Sequence, residues 1–535
     1  MSRAYIRPLN KSSNQVRYGL SAAALAAFWA SPAFAQTTGA ALSEEAQTVS
    51  PGPQEVQEAA SAQPGSQEGP LAGPQVPPGP QPPQSTVLTV TESDRIVVTA
   101  RRVEEDLQEV PIPVSVLNEG FLADTGALNV GKINQLVPSV QFYSTNPRNS
   151  AINIRGLGAP FGLTNDGIEQ GVGLYVDGVY FARPASAVMD FIDVAQVEVL
   201  RGPQGTLYGK NTTAGAINVT TKAPSFDPST DVEVSFGNLG YLQAKATTTG
   251  PLTDTLAYRL SFSGTQRDGV LWNVAGQDDL NDINNIGARA QLLWRPGDTL
   301  DVKLSADNTS QRPEGYAQVF AGVVPTQRPL NRQYAAQAAY YNYAPPSFNP
   351  FDRVTDLDTP HRSGSDLGGA SLNIDWDVGP GTLTAISAWR YWIWDPSNDR
   401  DFLGLPIRTL SQNPSKQYQW SQELRYAGDF GDSLSYVVGA FWFNQVTKTL
   451  GREEQGAAAW RWLANPNATN ELLGNLGALD GYGQRVQIRS DHTSAALFGQ
   501  LEWEVTDRLR ILPGVRFNYD EKSGFYNAVP YGQLD

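Results

Sequence analysis

Cysteine is absent from the 535 residues, and histidine occurs twice. Disulfides, thiolate metal sites and a cysteine nucleophile are therefore excluded, and imidazole chemistry is confined to His361 and His492. Charged side chains make up only 17% of the chain, and the acidic excess gives a net charge of −15. With no Lys/Arg cluster to offset it, that charge repels a polyphosphate backbone, and nucleic acid is not an expected partner. No run approaches the roughly 18 apolar residues of a membrane-spanning helix. What the chain does have is 50 glycines and 10% aromatic residues, a composition suited to strands and turns.

The first 35 residues read as an export signal: Arg3, Arg7, Lys11 and Arg17, the apolar run "GLSAAALAAFWA", then "AFA" ending at Ala35, with cleavage expected before Gln36. Residues 36–93 are Pro, Gln, Gly, Ala and Glu, too poor in apolar surface to offset chain entropy, and read as a disordered linker. Residues 101–224 mix short β-rich pieces ("VSVL", "AINIRGLG", "GVGLYVDGVY") with a helix expected near 124–137, which suggests a compact α+β domain.

From 225 to 535 the period becomes two. "LAYRLSFS" places Leu256, Tyr258, Leu260 and Phe262 opposite Arg259, Ser261 and Ser263, and "NIGARAQLLW" and "LDVKLSAD" alternate in the same way. A soluble sandwich also alternates, but these segments run about nine to twelve residues, the span of a tilted transmembrane strand. About eleven strands are expected. Their connections alternate between short ("GPLTDT", "RPGDT", "DVGPGT", "GDFGDS", "VTDR") and long (267–284, 310–365, 394–416, 449–492). That parity is the mark of an antiparallel transmembrane β-barrel. The Trp residues 272, 294, 389, 392, 394, 442 and 503 fall near many strand ends, where interfacial girdles lie. An odd strand count cannot close an antiparallel barrel, so the sequence is expected to stop inside one of about 22 strands.

"VEVLRGPQGTLYGKNTTAGAINVTTKAP", residues 197–224, looks like a phosphate loop but has the wrong spacing. Only three residues separate Gly205 from Gly209, and Asn211 stands where the magnesium-binding hydroxyl is required. The same stretch resembles the plug signature of the TonB-dependent outer-membrane receptors, supported by "IRG" at 154–156 and "YVDGV" at 175–179.

The resemblance, over 94–535, implies a mainly β protein: an α+β plug followed by the first half of a barrel in the bacterial outer membrane. It implies energised import of a scarce solute, most readily an iron–siderophore, with corrinoid, oligosaccharide or aromatic compounds as alternatives. The implied partners are TonB with its inner-membrane energising complex, outer-membrane lipid and a small-molecule or metal-chelate substrate. No resident metal or cofactor is implied.

"DRIVVTA", that is Asp94, Arg95, Ile96, Val97, Val98, Thr99 and Ala100, is similar to the TonB box, a short β-rich segment suited to adding to a partner's sheet edge. Arg155 and Arg201 resemble the plug arginines that pair with wall glutamates, expected here beyond Asp535. Substrate contacts are expected at Tyr143, Asn146, Arg148, Tyr180, Phe181 and Arg183 on plug apices, and at Tyr340, Tyr341 and Tyr343 on a long loop. The acidic "QDDLND" at 277–282 lacks the spacing of a calcium loop and reads as solvated charge. The rival readings are a passive porin, which has no use for a plug, and a barrel hydrolase, for which neither histidine has a Ser or Asp at motif spacing.

Overall fold

The computed structural model describes residues 96–532 apart from 128, 160–165, 189, 432, 464–476, 478 and 507. The export signal, the 36–93 linker, Asp94 and Arg95 lie outside the described residues.

The N-terminal module is built on a sheet of β3 (Val114–Asn118), β6 (Val172–Val176), β7 (Val179–Phe181), β8 (Val194–Arg201) and β9 (Gly215–Thr221), in the order β3-β8-β9-β6-β7. Two hairpins flank it: β1 (Val97–Val98) with β2 (Glu105–Asp106), and β4 (Val140–Ser144) with β5 (Ser150–Ile154). Val197, Val199, Ile217 and Val219 on the two central strands are buried, as expected where a strand is covered on both faces. Asp177 and Gly178 both take positive φ, 48° and 79°, the two-residue turn that "DG" favours between β6 and β7. The single helix expected near 124–137 is instead a six-residue helix, Glu119–Asp124, and a separate 3₁₀ turn, Val130–Gln135. Gly126, at φ 62°, ends the first piece.

Among the described residues the wall has eleven long strands: β10 (Ser229–Phe236), β11 (Leu242–Thr253), β12 (Leu256–Arg267), β13 (Ile283–Gly297), β14 (Leu300–Gln311), β15 (Arg362–Val378), β16 (Gly381–Ser397), β17 (Ser415–Asp429), β18 (Leu434–Glu454), β19 (Gly483–Thr506) and β20 (Gly514–Tyr531). Each pairs antiparallel with the next, as the expected eleven-strand meander requires. The long and short connections fall where expected. Several strands are longer than expected, up to 24 residues, because the ladders continue beyond the apolar band on the long-loop side.

The apolar face points outward. Leu260, Leu292 and Leu304 are exposed on the outside, while Arg259, Ser261, Ser263, Gln291 and Ser305 are buried within. That inversion of a soluble core is what a lipid-facing wall with a polar interior requires. Cross-strand register aligns Trp376 with Leu383 and Leu383 with Tyr426 near the short turns, and Trp389 with Trp420 higher up. Leu383 and Trp389 are separated along β16 by about 20 Å at ~3.3 Å per residue, near the height of an outer-membrane apolar band. Three of the expected girdle tryptophans belong elsewhere; Trp272 lies on a short hairpin, Leu271–Asn273 with Asp278–Leu280, of the long loop after β12. Trp392 and Trp394 fall on the even, inward parity of β16 and are buried in the lumen, bonding Ser365 and Ser363 at 3.0 Å each.

Inward-facing wall residues grip the N-terminal module, which therefore acts as a plug. Arg259 and Ser261 both bond Asp193, Asn285 bonds Asp190 at 3.0 Å, Gln311 donates to the Val188 carbonyl at 2.9 Å, and Gln419 donates to the Tyr180 carbonyl at 2.6 Å. Asp193 and Arg259 are both nearly withdrawn from water. A loop residue departs from expectation too: Asp282 of "QDDLND" is buried and accepts from the Glu314 amide, so it is not solvated charge.

Candidate functional site

The segment from Ile96 to Ala100 is folded against the plug. Its ladder with β2 is two residues long, Val97 opposite Asp106 and Val98 opposite Glu105. Ile96 is 45% and Val97 46% exposed, while Val98 and Ala100 are 0% exposed, in one apolar cluster with Tyr175, Leu200, Tyr208 and the wall residues Phe443 and Phe498.

A single carboxylate fastens it. Glu198, 0% exposed in the otherwise apolar run "VEVL", accepts the Thr99 amide at 2.9 Å and the Thr99 hydroxyl at 3.3 Å. Gln196 and Asn218 also donate to Glu198, at 2.9 and 3.3 Å. Burial pushes the Glu198 carboxyl above its ordinary range, and the donors work in the opposite direction. The Tyr208 hydroxyl holds the Thr99 carbonyl at 3.3 Å, and Asn218 donates to the Thr99 hydroxyl at 2.9 Å.

Just downstream, the Arg102 guanidinium lies over Tyr208 and Tyr175, 4.2 and 4.9 Å from the ring centroids, and 3.7 Å from wall Glu423. Arg101 pairs with Glu105 and with wall Glu502, four residues from the short-turn end of β19. The segment therefore sits at the short-turn rim.

At the opposite end of the plug, Asp166 collects Arg148 at 3.1 Å, Arg183 at 2.9 Å and the wall hydroxyl of Thr449 at 2.7 Å. Against the cost of burial, the two guanidiniums hold the Asp166 carboxyl down at about 2. One carboxylate thus serves two cations, and the Arg183 guanidinium lies 5.0 Å over the ring of Trp392.

Other expected contacts are placed differently. Tyr143 is partly exposed at the end of its hairpin, and Asn146 accepts the Asn149 amide at 3.0 Å to cap a turn. Tyr180 and Phe181, expected on an apex, are buried: the Tyr180 hydroxyl accepts from Asn211 at 2.6 Å, and Phe181 lies beneath the Arg390 guanidinium. They point to opposite faces of β7, and both faces are covered: all three residues of the strand are buried. In the loop, Tyr340 is exposed beneath Arg461, but the Tyr341 hydroxyl bonds the Ala458 carbonyl at 3.1 Å and that of Tyr343 bonds Asp356 at 2.8 Å. These last two hold loops together. Arg155 is exposed at φ 55°, and Arg201 has a buried Nε without a hydrogen-bond partner; neither forms an ion pair among the described residues.

Comparison with known proteins agrees with this arrangement. Residues 106–216 match the TonB-dependent Receptor Plug Domain. The pesticin receptor of Yersinia pestis is 25% identical over 450 residues, covering 82% of this chain and 58% of the relative. The chain belongs to the TonB-dependent receptors. The catecholate siderophore receptor Fiu of Escherichia coli K12 is 30% identical over 156 residues, covering 28% of this chain and 19% of that protein. The crystal structure of the ferric yersiniabactin uptake receptor FyuA from Yersinia pestis superposes with a TM-score of 0.63 at 22% identity, over 78% of this chain and 59% of that one. The chain thus spans less than two thirds of the length of these relatives. A TonB-dependent receptor is a transporter or receptor by family rather than an enzyme, and its relatives reside in the outer membrane.

The outer loops of this receptor meet at a junction of carboxylates. Asp399 accepts the amides of Asp358 at 3.0 Å and Phe402 at 2.9 Å, and Asp401 accepts those of Leu403 at 3.1 Å and Arg408 at 2.8 Å. The Arg400 and Arg408 guanidiniums turn away to Glu453. Burial, then the Asp399 charge, push Asp358 up to about 6 and Asp401 up to about 7.

Because these folded values exceed the unfolded ~4, the folded junction binds protons more tightly, and its stability falls as pH rises from about 4 to about 7. Amide hydrogen exchange at 399–408, corrected for intrinsic rate, is expected to show roughly tenfold less opening at pH 5 than at pH 8, solvent screening having reduced the effect. Equal protection at the two values would refute this.

Glu198, Asp166, Asp193 and Lys210 were not marked as site residues by motif or spacing. An isolated acid inside an apolar strand run was the one available signal, and it pointed to Glu198 alone.

Proposed function

We propose that this receptor captures a scarce solute, an iron–siderophore chelate in the first instance, at the outer loops and plug apex. It then releases Ile96–Ala100, with the preceding Asp94 and Arg95, to the TonB protein for energised import. The observation that carries the reading is the placement of the docking segment. It is held at the short-turn rim by a two-residue ladder, by hydrogen bonds of Thr99 to Glu198, Tyr208 and Asn218, and by the buried Val98 and Ala100, while the cation-rich apex lies at the far end of the same plug. Once released, such a segment presents main-chain donors and acceptors for strand addition.

The siderophore class is supported by what the relatives' names say of them: catecholate siderophore receptor and ferric yersiniabactin uptake receptor. Arg148, Arg183, Tyr143 and Tyr340 are the contacts we assign to the solute, the arginines suiting an anionic chelate. Arg155 and Arg201 remain assigned to wall glutamates. Export of the chain would precede cleavage near Ala35.

Collapse of the inner-membrane proton gradient with an uncoupler should abolish uptake of radiolabelled ferric chelates while leaving their binding to cells unchanged. Undiminished uptake under the uncoupler would instead support the passive porin. The hydrolase rival is disfavoured by His492, which is buried with its Nε2 already engaged by the Lys210 ammonium at 2.8 Å and the Asp520 carboxylate at 3.0 Å.

A further inference from the structure

The turn that resembles a phosphate loop joins two distant parts of the receptor. Gly209 and Asn211 take left-handed φ of 84° and 64°. The Thr212 hydroxyl donates to the Gly209 carbonyl at 2.6 Å, and the Gln204 and Tyr208 amides donate to the Thr212 and Gln204 carbonyls at 2.9 and 3.1 Å. A Cβ at Gly209 would stand 2.5 Å from the Arg516 guanidinium of the wall. With its bonds internal and its outside in contact, the turn behaves as one stiff body.

Two side chains leave that body in different directions. From one end the Tyr208 hydroxyl reaches the Thr99 carbonyl of the docking segment, while the Tyr208 carbonyl accepts the Tyr175 hydroxyl at 2.8 Å. Two residues on, the Lys210 ammonium pairs with Glu169 of the plug at 2.8 Å and with wall Asp520 at 3.3 Å, and lies 2.8 Å from wall His492 Nε2. Glu169 also binds wall Lys522 at 2.7 Å and lies three residues beyond Asp166, the carboxylate of the apex. Two of the three Lys210 partners, His492 and Asp520, lie across the plug–wall seam.

We propose that Lys210 is a positioning residue: tied to Glu169, His492 and Asp520, it keeps the stiff turn where Tyr208 can fasten Thr99, so that breaking this tie frees the docking segment. The inference rests on the docking reading of Ile96–Ala100 given above. It assigns the lysine of this turn a mechanical task, and it supplies a contact route from the apical loop to the opposite rim.

The absence of cysteine makes the test direct. Ala100→Cys places one thiol at a fully buried site of the docking segment, and Ala151→Cys places one at a 1% exposed site elsewhere in the plug. Maleimide modification is followed in outer membranes carrying the intact receptor. Lys210→Met is expected to raise the rate at position 100 roughly tenfold, the loss of a charge-assisted tie, with Lys210→Arg restoring most of the protection. The thiol at position 151 should stay protected in every variant. Should Lys210→Met fail to assemble, Glu169→Gln makes the same cut from the plug side and is expected to act in the same direction.

Unchanged modification at position 100 in both variants overturns the proposal. So does equal acceleration at position 151, which would mean general loosening of the plug. Cross-linking to TonB from Ile96→Cys in an otherwise unaltered receptor tests the underlying reading separately. Its absence, with the labelling difference intact, removes the docking role and leaves the Lys210 tie standing.

Discussion

Val98→Pro is expected to abolish TonB-dependent uptake while ligand binding and assembly of the wall persist. Proline removes an N–H and fixes φ, so the residue can no longer take part in a strand added to a partner's sheet edge. In the resting receptor the same change removes a fully buried side chain from the cluster with Tyr175 and Tyr208 and disturbs the two-residue ladder with Glu105. The segment should therefore be loose as well as unrecognisable. Uptake of labelled ferric chelates is expected to fall at least a hundredfold, to the level of an uncoupled cell, with surface binding within about twofold of the parent. A variant that imports at the parental rate would show that Val98 is merely the first strand of the plug.

The second large effect concerns the anchor between plug and wall. Asp193→Ala leaves the Arg259 guanidinium without its carboxylate in a site where both side chains are nearly withdrawn from water. Breaking one partner of a buried pair costs about 3–5 kcal/mol, whereas replacing both by apolar groups is often close to neutral. Limited proteolysis of the folded receptor is expected to cut the plug of Asp193→Ala readily, with the wall intact. The double variant Asp193→Leu/Arg259→Met should recover most of the resistance. Equal sensitivity of the single and double variants would mean that the pair acts through geometry peculiar to it rather than through an uncompensated charge.

Much of the architecture was legible because its signals are local. Alternation in "LAYRLSFS" and "NIGARAQLLW" specifies which face of each strand is apolar, and the short–long parity of connections specifies a meander with two unlike rims. Even the eleven long strands could be counted in advance. Where the reading slipped, a longer-range effect had intervened. Trp392 and Trp394 looked like girdle residues by their distance from a strand end, but their even parity on β16 faces them into the lumen. Tyr180 and Phe181 looked like apical contacts from their neighbourhood in the chain, yet the sheet they join is buried beneath the wall residues Gln419 and Arg390. The helix near 124–137 was missed on a local signal instead: it stops at Gly126, whose left-handed φ lets the Ala127 amide reach back to the Leu122 carbonyl at 3.0 Å.

The site itself was half legible. The segment proposed for docking stands out through β-branched residues beside a Pro-rich linker, and the signature turn through its glycines. What fastens the one and what the other holds were not visible. Glu198 meets Thr99 across 99 positions, and Lys210 meets His492 across 282.

From residue order alone came the alternating wall and the plug before it, because period and turn chemistry act between neighbours in the chain. Only the folded molecule decided which charge answers which, since ionic partners are chosen by distance in space. No local pattern records that choice.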